Sequence, residues 1–319
     1  MRLLLSGVLH GVFTVMTEAS TGYRRGMGDR AFALILVTPA LLVVTFIIVY
    51  PLVNAFVTSF FRYFLTDARG KEFVGFDNYL RMFSNQDFWI GFLNTIVYVG
   101  GTVGSEFVFS FALALLMNYH FRGKNLVNGL FFIPWIIPSV VVALITKYLL
   151  FDHFHGIVNV VLQRIGVIDR FVPWLKDPAL AMPTVIFATT WKMFPFMFVI
   201  LYAGLQAVPG EQIEAAKVDG ASGFQRFCHV ILPNMREIIT LATILEFIWQ
   251  FQYITIIWTT TRGGPINRTT TFPVLIYRSS FKGSMNMGYA SAIGVFWLLF
   301  LLGFTIFYIG YMGRKSGEK

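Results

Sequence analysis

The stretch Glu211-Gln-Ile-Glu-Ala-Ala-Lys-Val-Asp-Gly220-Ala-Ser-Gly-Phe-Gln-Arg-Phe-Cys-His-Val-Ile-Leu-Pro233 is a polar, helix-prone island in a strongly apolar chain. Apolar runs lie on both sides of it, at Leu180–Val208 and Ile238–Thr260. A spanning helix needs roughly 20 mostly apolar residues, so both runs are long enough to cross a bilayer. The island is therefore expected at a membrane surface, where a membrane domain can contact a soluble partner.

The composition of the whole chain indicates a membrane protein. Hydrophobic residues make up 56% of it and charged residues only 13%, whereas soluble domains carry about 25% charged residues. The apolar runs are far longer than the ~10-residue strands of a membrane barrel. We therefore predict an all-α polytopic membrane protein with six transmembrane helices. The predicted spans are Phe32–Phe60, Ile90–Met117, Leu126–Leu150, Leu180–Val208, Ile238–Thr260 and Met287–Tyr311.

The polar island also carries a recognisable spacing of short motifs. Glu214-Ala-Ala216 is followed by Asp219-Gly-Ala221 and then by Ile231-Leu-Pro233. This pattern resembles the EAA loop of membrane subunits of binding-protein-dependent ABC importers. Three further segments extend the resemblance to nearly the whole chain and look like carbohydrate permeases of the maltose and glycerol-phosphate type: Phe73–Tyr79, Trp191–Pro195 and Gly263–Pro265. The resemblance implies a type I ABC importer permease fold.

The resemblance also implies how the chain works with its partners. In this family the EAA loop docks on an ABC ATPase dimer, and its Glu and Gly, which match Glu214 and Gly220, couple ATP hydrolysis to transport. A second homologous permease subunit and an extracytoplasmic substrate-binding protein complete such a complex. The expected coupling residues are Glu214, Ala215, Ala216, Asp219, Gly220 and Ala221.

Local sequence signals predict two short helices in the island. Pro209 suits the first turn of a helix over about 210–218, with Glu211 near the positive end of its dipole. Gly220 then ends that helix and lets the chain turn. Ser222 and Gln225 have the spacing of a capping box. A second short helix is expected to begin there and to stop before Pro233.

The predicted topology places both termini in the cytoplasm. It comprises an N-terminal segment (1–31), a permease domain (32–312) with its cytoplasmic coupling loop (209–237), and a tail (313–319). We expect no signal peptide, and we expect short interfacial helices in the outer loops 62–89 and 151–179. Lys and Arg are almost evenly divided between the two sides, so the resemblance, which requires a cytoplasmic 209–237 loop, decides the orientation. The third outer loop, 261–286, carries four basic residues and no acidic one.

Ionisable residues inside spans are costly and usually face a cavity or a partner. Four occur here: Glu106, Lys147, Lys192 and Glu246. Lys147 lies near the end of its span and can snorkel, and Glu106 can serve as a structural acceptor. The resemblance implies that sugar contacts fall on Lys192, Met193 and Phe196 of one span and on Glu246 and Gln250 of the next, with Tyr253 nearby. Two roles stay open for Lys192: it pairs with Glu246, or it meets an anionic sugar such as a uronate, phosphate or sulfonate derivative.

The remaining signals concern what the chain lacks. It has no Walker A motif, so we expect it to bind no cofactor itself and ATP to be hydrolysed by partner subunits. The single Cys228 and the scattered His residues predict no metal site. An integral-membrane enzyme would need clustered catalytic residues, and an ion-coupled secondary transporter would need no ATPase. We therefore expect a non-enzymatic permease of a bacterial inner membrane, embedded in lipid, that carries a sugar and binds no nucleic acid.

Overall fold

The computed structural model describes residues 29–67, 70–153 and 155–316, with the side chains of 29–31 and 311–316 excepted. Most of the predicted N-terminal segment and the last three residues of the predicted tail lie outside these ranges. The described residues are mostly helical, with one two-stranded antiparallel hairpin. Helices run over Asp29–Val44, Tyr50–Thr58, Asp77–Ser84, Gln86–Met117, Lys124–Phe131, Ile133–Ile136, Ser139–Leu149, Ile157–Arg164, Ala181–Gln206, Gly210–Val218, Gly223–Arg226, Leu232–Gln252, Thr255–Thr260, Phe272–Tyr277 and Met287–Ser316, and the strands are Phe61–Arg62 and Glu72–Phe73.

Five helical segments in the described part of the chain are long and apolar enough to cross a membrane. A bent pair of shorter helices makes a sixth if the two halves count as one span. We number them in chain order: span 1 Phe32–Thr58, span 2 Gln86–Met117, span 3 the pair Lys124–Ile136 and Ser139–Leu149, span 4 Ala181–Gln206, span 5 Gly223–Thr260 and span 6 Met287–Gly310. The all-α polytopic class predicted from composition is confirmed.

Span 3, which was expected over Leu126–Leu150, is broken into two halves. Its halves meet at 93°. Pro138 causes the break because the residue before a proline avoids helical backbone angles, and Ile137 is extended, with ψ of 129°.

Two other prolines, Pro51 and Pro233, are accommodated within helical segments by a widened turn. A proline donates no hydrogen bond, and its ring clashes with the carbonyl four residues earlier. Single π-turns at Thr45–Val49 and Phe227–Ile231 come just before Tyr50-Pro51 and Leu232-Pro233. In the second, the Leu232 amide donates to the Phe227 carbonyl, five residues back. The prediction that the second short helix stops before Pro233 is therefore wrong, because helical structure continues from Gly223 into span 5.

The segment 261–286 is packed into the protein more deeply than the predicted outer loop. Its helix Phe272–Tyr277 buries Phe272, Val274 and Leu275. The Phe272 amide donates to Thr95 Oγ1 of span 2 at 2.9 Å. Two other predicted loops contain the short helices expected of them, at Asp77–Ser84 and Ile157–Arg164.

Gly263, in the turn before this buried helix, should not tolerate a side chain. Its φ is +92°, and a Cβ there would lie 2.5 Å from Thr270 Oγ1 and 3.1 Å from Val274 Cγ1. We expect Gly263→Ala to destabilise the protein by about 1–3 kcal/mol, because the backbone strain of a positive φ adds to the steric overlap of the new Cβ with its neighbours. Thermal unfolding of the purified protein in lipid nanodiscs measures this. Gly294→Ala in span 6 is the control, since a Cβ there has no neighbouring heavy atom of the described chain within 4 Å. Equal melting temperatures for the two variants would contradict the expectation.

Candidate functional site

The predicted coupling helix is present at the expected residues, Gly210–Val218. Gly220 ends it with φ of +79°. The Ala221 amide donates to the Ala216 carbonyl at 2.9 Å and the Gly220 amide to the Lys217 carbonyl at 3.0 Å. These two bonds make a Schellman motif, in which a left-handed residue closes the helix end. The chain therefore turns sharply at Gly220.

The capping box predicted on the far side of this turn is also present. Ser222 N donates to Gln225 Oε1 at 2.7 Å, and Gln225 N donates to Ser222 Oγ at 3.3 Å. Asn234 Nδ2 then donates to Gln212 Oε1 at 2.8 Å and ties the coupling helix to the start of span 5. The helix Gly210–Val218 is thereby joined to span 5 both along the chain and by a side-chain hydrogen bond.

The coupling helix and its turn present a largely exposed surface. Glu214, Ala215, Asp219 and Gly220 are exposed, whereas Ala216 and Ala221 are half-buried. Lys217 Nζ contacts Glu214 Oε1 at 2.5 Å, one turn away, and both side chains are about half exposed or more. A surface pair of this kind stabilises the helix by less than about 1 kcal/mol. Beside the turn lies a cleft of about 320 Å³ that Asp219, Gly220, Arg226 and His229 help to line.

Inside the protein, Lys192 of span 4 binds the carbonyl freed by the break in span 3. Its Nζ donates to the Trp135 carbonyl oxygen at 2.5 Å, and the residue is only 6% exposed. Among the described residues it forms no ion pair, with Glu246 or any other carboxylate. Lys192 therefore compensates a backbone group that the bend at Pro138 leaves without a helical donor.

Glu246 and Gln250 lie together on one face of span 5, as their spacing predicts, and both are buried. Gln250 Nε2 donates to Glu246 Oε2 at 3.3 Å and to Glu106 Oε1 of span 2 at 3.1 Å. Tyr98 OH, two turns before Glu106, lies 3.3 Å from Gln250 Oε1 and 3.2 Å from Thr189 Oγ1 of span 4. Spans 2, 4 and 5 thus meet at one polar cluster. Sequence reasoning weighed Glu106 only as a structural acceptor and did not single out Tyr98, although the i, i+8 spacing puts both on one face of the helix.

The remaining predicted path residues divide between these two regions. Met193 is buried next to Lys192. The half-buried ring of Phe196 packs on Trp249 of span 5, with centroids 4.5 Å apart. Tyr253 ends the helix Leu232–Gln252 and lies beside Ser139, at the start of the second half of span 3. The structure therefore joins Phe196 to span 5 but places Lys192 and Glu246 against different neighbours.

A cavity of about 340 Å³ lies at the end of spans 3 and 5 opposite the coupling helix. Lys147, Asp152, Lys176 and the turn at Gly264 help to line it. Lys147 is exposed in the last turn of its helix, as predicted for a snorkelling side chain. A hydrogen bond from Lys176 Nζ, at 2.7 Å, holds the pKa of the Asp152 carboxyl below its ordinary value. This ion pair is therefore kept at neutral pH and lost only as the pH falls through that lowered pKa.

Comparisons with known proteins agree with the motif pattern. Residues 106–311 match the family model described as the inner membrane component of binding-protein-dependent transport systems. The chain is 34% identical over 275 residues to the trehalose/maltose transport system permease protein MalF of Thermococcus litoralis, covering 86% of this chain and 91% of that protein. It is also 34% identical over 290 residues to the sulfoquinovosyl glycerol transport system permease protein SmoG of Agrobacterium fabrum, covering 91% and 93%.

A solved structure shows the same fold. A chain of the bacterial alginate ABC transporter, crystallised in complex with an alginate pentasaccharide-bound periplasmic protein, superposes with a TM-score of 0.77 at 22% identity, covering 91% of this chain and 97% of that one. The family match includes the whole coupling segment and spans 4 and 5. The resemblance found in the EAA-like spacing is thus confirmed, and the chain belongs to the family of multi-pass inner membrane components of binding-protein-dependent transport systems.

Proposed function

We propose that the chain is the permease subunit of an ABC importer for a sugar or oligosaccharide. The observation that carries this proposal is the exposed helix–turn–helix at 210–226, set between two spans in a chain whose relatives include trehalose/maltose and sulfoquinovosyl glycerol permeases. A partner ATPase dimer drives transport, a second homologous permease completes the pathway, and an extracytoplasmic binding protein delivers the substrate. Both termini and the 209–237 loop lie in the cytoplasm, and the chain itself catalyses no reaction.

The coupling residues are Glu214, Ala215, Ala216, Asp219, Gly220 and Ala221. The exposure of four of them, Glu214, Ala215, Asp219 and Gly220, supports this role, since small side chains allow close approach to a groove while Glu214 and Asp219 offer two anions to a basic partner. The Schellman turn fixes the angle between the two helices of the loop. The ATPase dimer closes on ATP and carries this rigid unit with it, and the link from Gln212 to Asn234 passes the movement to span 5.

The substrate path runs between spans 4 and 5, along Lys192, Met193, Phe196, Glu246, Gln250 and Tyr253. The packing of Phe196 on Trp249 supports this proposal, because aromatic rings suit the C–H faces of a sugar while amide and carboxyl groups bind its hydroxyls. Glu246 and Gln250 are only 0% and 1% exposed. The path is therefore closed in this conformation and has to open between spans 2 and 5.

An acidic sugar is a second candidate substrate, favoured by the relative that transports sulfoquinovosyl glycerol and by the buried Lys192. The neutral sugar is the first candidate, because Lys192 is already engaged by the Trp135 carbonyl and the other ionisable path residue, Glu246, would repel an anion. The positively charged third loop does not decide between them. One of its four basic residues, Arg278, lies 3.6 Å from the carboxylate of Asp87.

Lys192→Met separates the two candidates. We expect uptake of a neutral sugar and of an acidic analogue of the same size to fall equally, because the lost interaction is a charge-assisted hydrogen bond worth about 1.5–3 kcal/mol to the fold. Lys192→Gln is the matched variant, since an amide can still donate to the Trp135 carbonyl without carrying a charge. It should restore both activities. Selective loss of acidic uptake in both variants would favour the acidic sugar.

The substrate class is tested with the whole complex in lipid vesicles. ATP hydrolysis and uptake are measured with a panel of neutral and acidic mono- and oligosaccharides and the cognate binding protein. We expect one group of related sugars to stimulate hydrolysis and to accumulate inside only with ATP. Stimulation by amino acids or ions in place of sugars would contradict the proposal.

A further inference from the structure

The cluster that closes the path contains two buried carboxyl groups and no cation. Glu106 and Glu246 are each 0% exposed. Within the described ranges, no Lys, Arg or His side chain contacts either carboxyl group, and Lys192 of span 4 is held by the Trp135 carbonyl. Two adjacent ionised carboxylates without a cation cannot be stable in so dry a site, because burial and mutual repulsion add.

The donors in the cluster do not satisfy both groups. Both N–H bonds of the Gln250 amide are used, one on Glu106 Oε1 and the other on Glu246 Oε2. The other two carboxyl oxygens, Glu106 Oε2 and Glu246 Oε1, receive no N–H or O–H donor from the rest of the described chain. The two carboxyl groups are brought together on one nitrogen atom, because Gln250 Nε2 lies 3.1 Å from Glu106 Oε1 and 3.3 Å from Glu246 Oε2. Two carboxyl groups can form a hydrogen bond only if one of them carries a proton.

The orientation of the Gln250 amide is fixed from both sides. Its oxygen faces the hydroxyl of Tyr98, whereas its nitrogen faces the two carboxyl groups. Thr189 Oγ1 donates its own proton to the Val185 carbonyl at 2.9 Å. The Tyr98 hydroxyl is therefore the donor to both Thr189 Oγ1 and Gln250 Oε1. Rotating the amide would place its oxygen against the carboxyl groups and leave Tyr98 facing a donor. The cluster is therefore a single, fully oriented network across spans 2, 4 and 5.

We propose that Glu106 and Glu246 share one proton as a carboxylic acid–carboxylate pair, and that this pair, bridged by Gln250, is the latch that keeps spans 2 and 5 closed over the substrate path. The proposal rests on the proposed function in one respect, the position of Gln250 on the path. Glu106 is accordingly a positioning residue: it holds the Gln250 amide away from substrate until the spans separate. Separation frees the amide for a sugar hydroxyl and gives the carboxyl pair access to water.

The shared proton has a spectroscopic test that does not depend on transport. The complete transporter is placed in lipid nanodiscs, and infrared spectra with isotope-labelled glutamate identify the carbonyl stretch of a protonated, buried carboxyl group. We expect one such band, and we expect it to be lost at its native frequency in both Glu106→Gln and Glu246→Gln, because each change replaces one of the two carboxyl groups between which the proton is shared. Exposed Glu72→Gln is the control and should keep the band. No such band in the native complex, or its survival in either cluster variant, would overturn the shared proton.

ATP hydrolysis without substrate or binding protein tests the latch. We expect Glu106→Gln to raise this basal rate of ATP hydrolysis about tenfold. The change removes ~1.4 kcal/mol of the free-energy difference that favours the closed state over the open one, which raises the ratio of open to closed complexes tenfold. An unchanged basal rate in a variant that has lost the band would overturn the latch while leaving the shared proton in place. Failure of the sugar panel to stimulate hydrolysis would instead count against the proposed function, since neither the band nor the basal rate depends on a sugar.

Discussion

A transporter carrying Gly220→Leu should insert in the membrane with its second permease subunit yet lose ATP-driven uptake by about tenfold or more. Gly220 has φ of +79°, which costs an L-residue about 1–2 kcal/mol. Apart from the two neighbouring residues, no heavy atom in the described part of the chain lies within 4 Å of a Cβ at that position, so the added side chain would strain the turn and also obstruct a partner surface. Gly220→Asn is the matched variant, because asparagine tolerates left-handed backbone angles. It should retain more uptake than the Leu variant.

Glu214→Ala tests the same surface without straining the backbone. Glu214 is exposed, and among the described residues it pairs only with Lys217 of its own helix, so its removal should change the stability of the chain by less than about 1 kcal/mol. We expect uptake to fall, because the docking groove loses an anion. Lys217→Ala breaks the same ion pair but leaves the anion, and it should preserve uptake. Full transport by both the Glu214→Ala and the Gly220→Leu complexes would refute the coupling assignment.

Gln250→Leu should produce the other large effect, at the closed path. The change removes both N–H donors from Glu106 and Glu246 and one acceptor from Tyr98. It also leaves substrate hydroxyls unpaired in the open state, which costs about 1–3 kcal/mol for each buried polar group. We expect a rise of roughly 5- to 150-fold in the sugar concentration that gives half-maximal uptake, for complexes present at normal abundance.

Gln252→Leu is the control for that experiment. Gln252 lies on the same helix but is exposed, and its amide contacts only the Ile248 carbonyl at 3.4 Å. The same substitution there should leave both assembly and the substrate dependence of uptake unchanged. If Gln250→Leu also leaves the substrate dependence unchanged, the sugar site lies elsewhere.

The features of the coupling loop that were predicted correctly depend on local signals. The helix end at Gly220 needs only a residue that adopts positive φ, and the capping box needs only Ser222 and Gln225 three residues apart. Such signals are visible in the sequence because each acts within one or two turns. The stop expected before Pro233 failed, since a proline is compatible with a helix when a π-turn precedes it.

The interior of the site depends on contacts that no local pattern contains. The length and composition of span 3 do not show its 93° bend at Pro138, and the use of Lys192 to bind the Trp135 carbonyl arises from packing of span 3 against span 4. The partnership of Glu106 with Gln250 joins residues 144 positions apart. The 3.6-residue period places Glu246 and Gln250 on one face, yet it cannot show which helix that face meets.

The most direct test of the account is purification of the chain from its native membrane in a mild detergent, followed by identification of everything that remains bound. We expect a P-loop ATPase and a second permease of the same family to be recovered with it, and the ATPase to be lost from the Gly220→Leu preparation while the second permease stays. The purified native complex should hydrolyse ATP faster when its binding protein and a sugar are added. A chain that purifies without an ATPase and transports its substrate in response to an ion gradient alone would contradict the account.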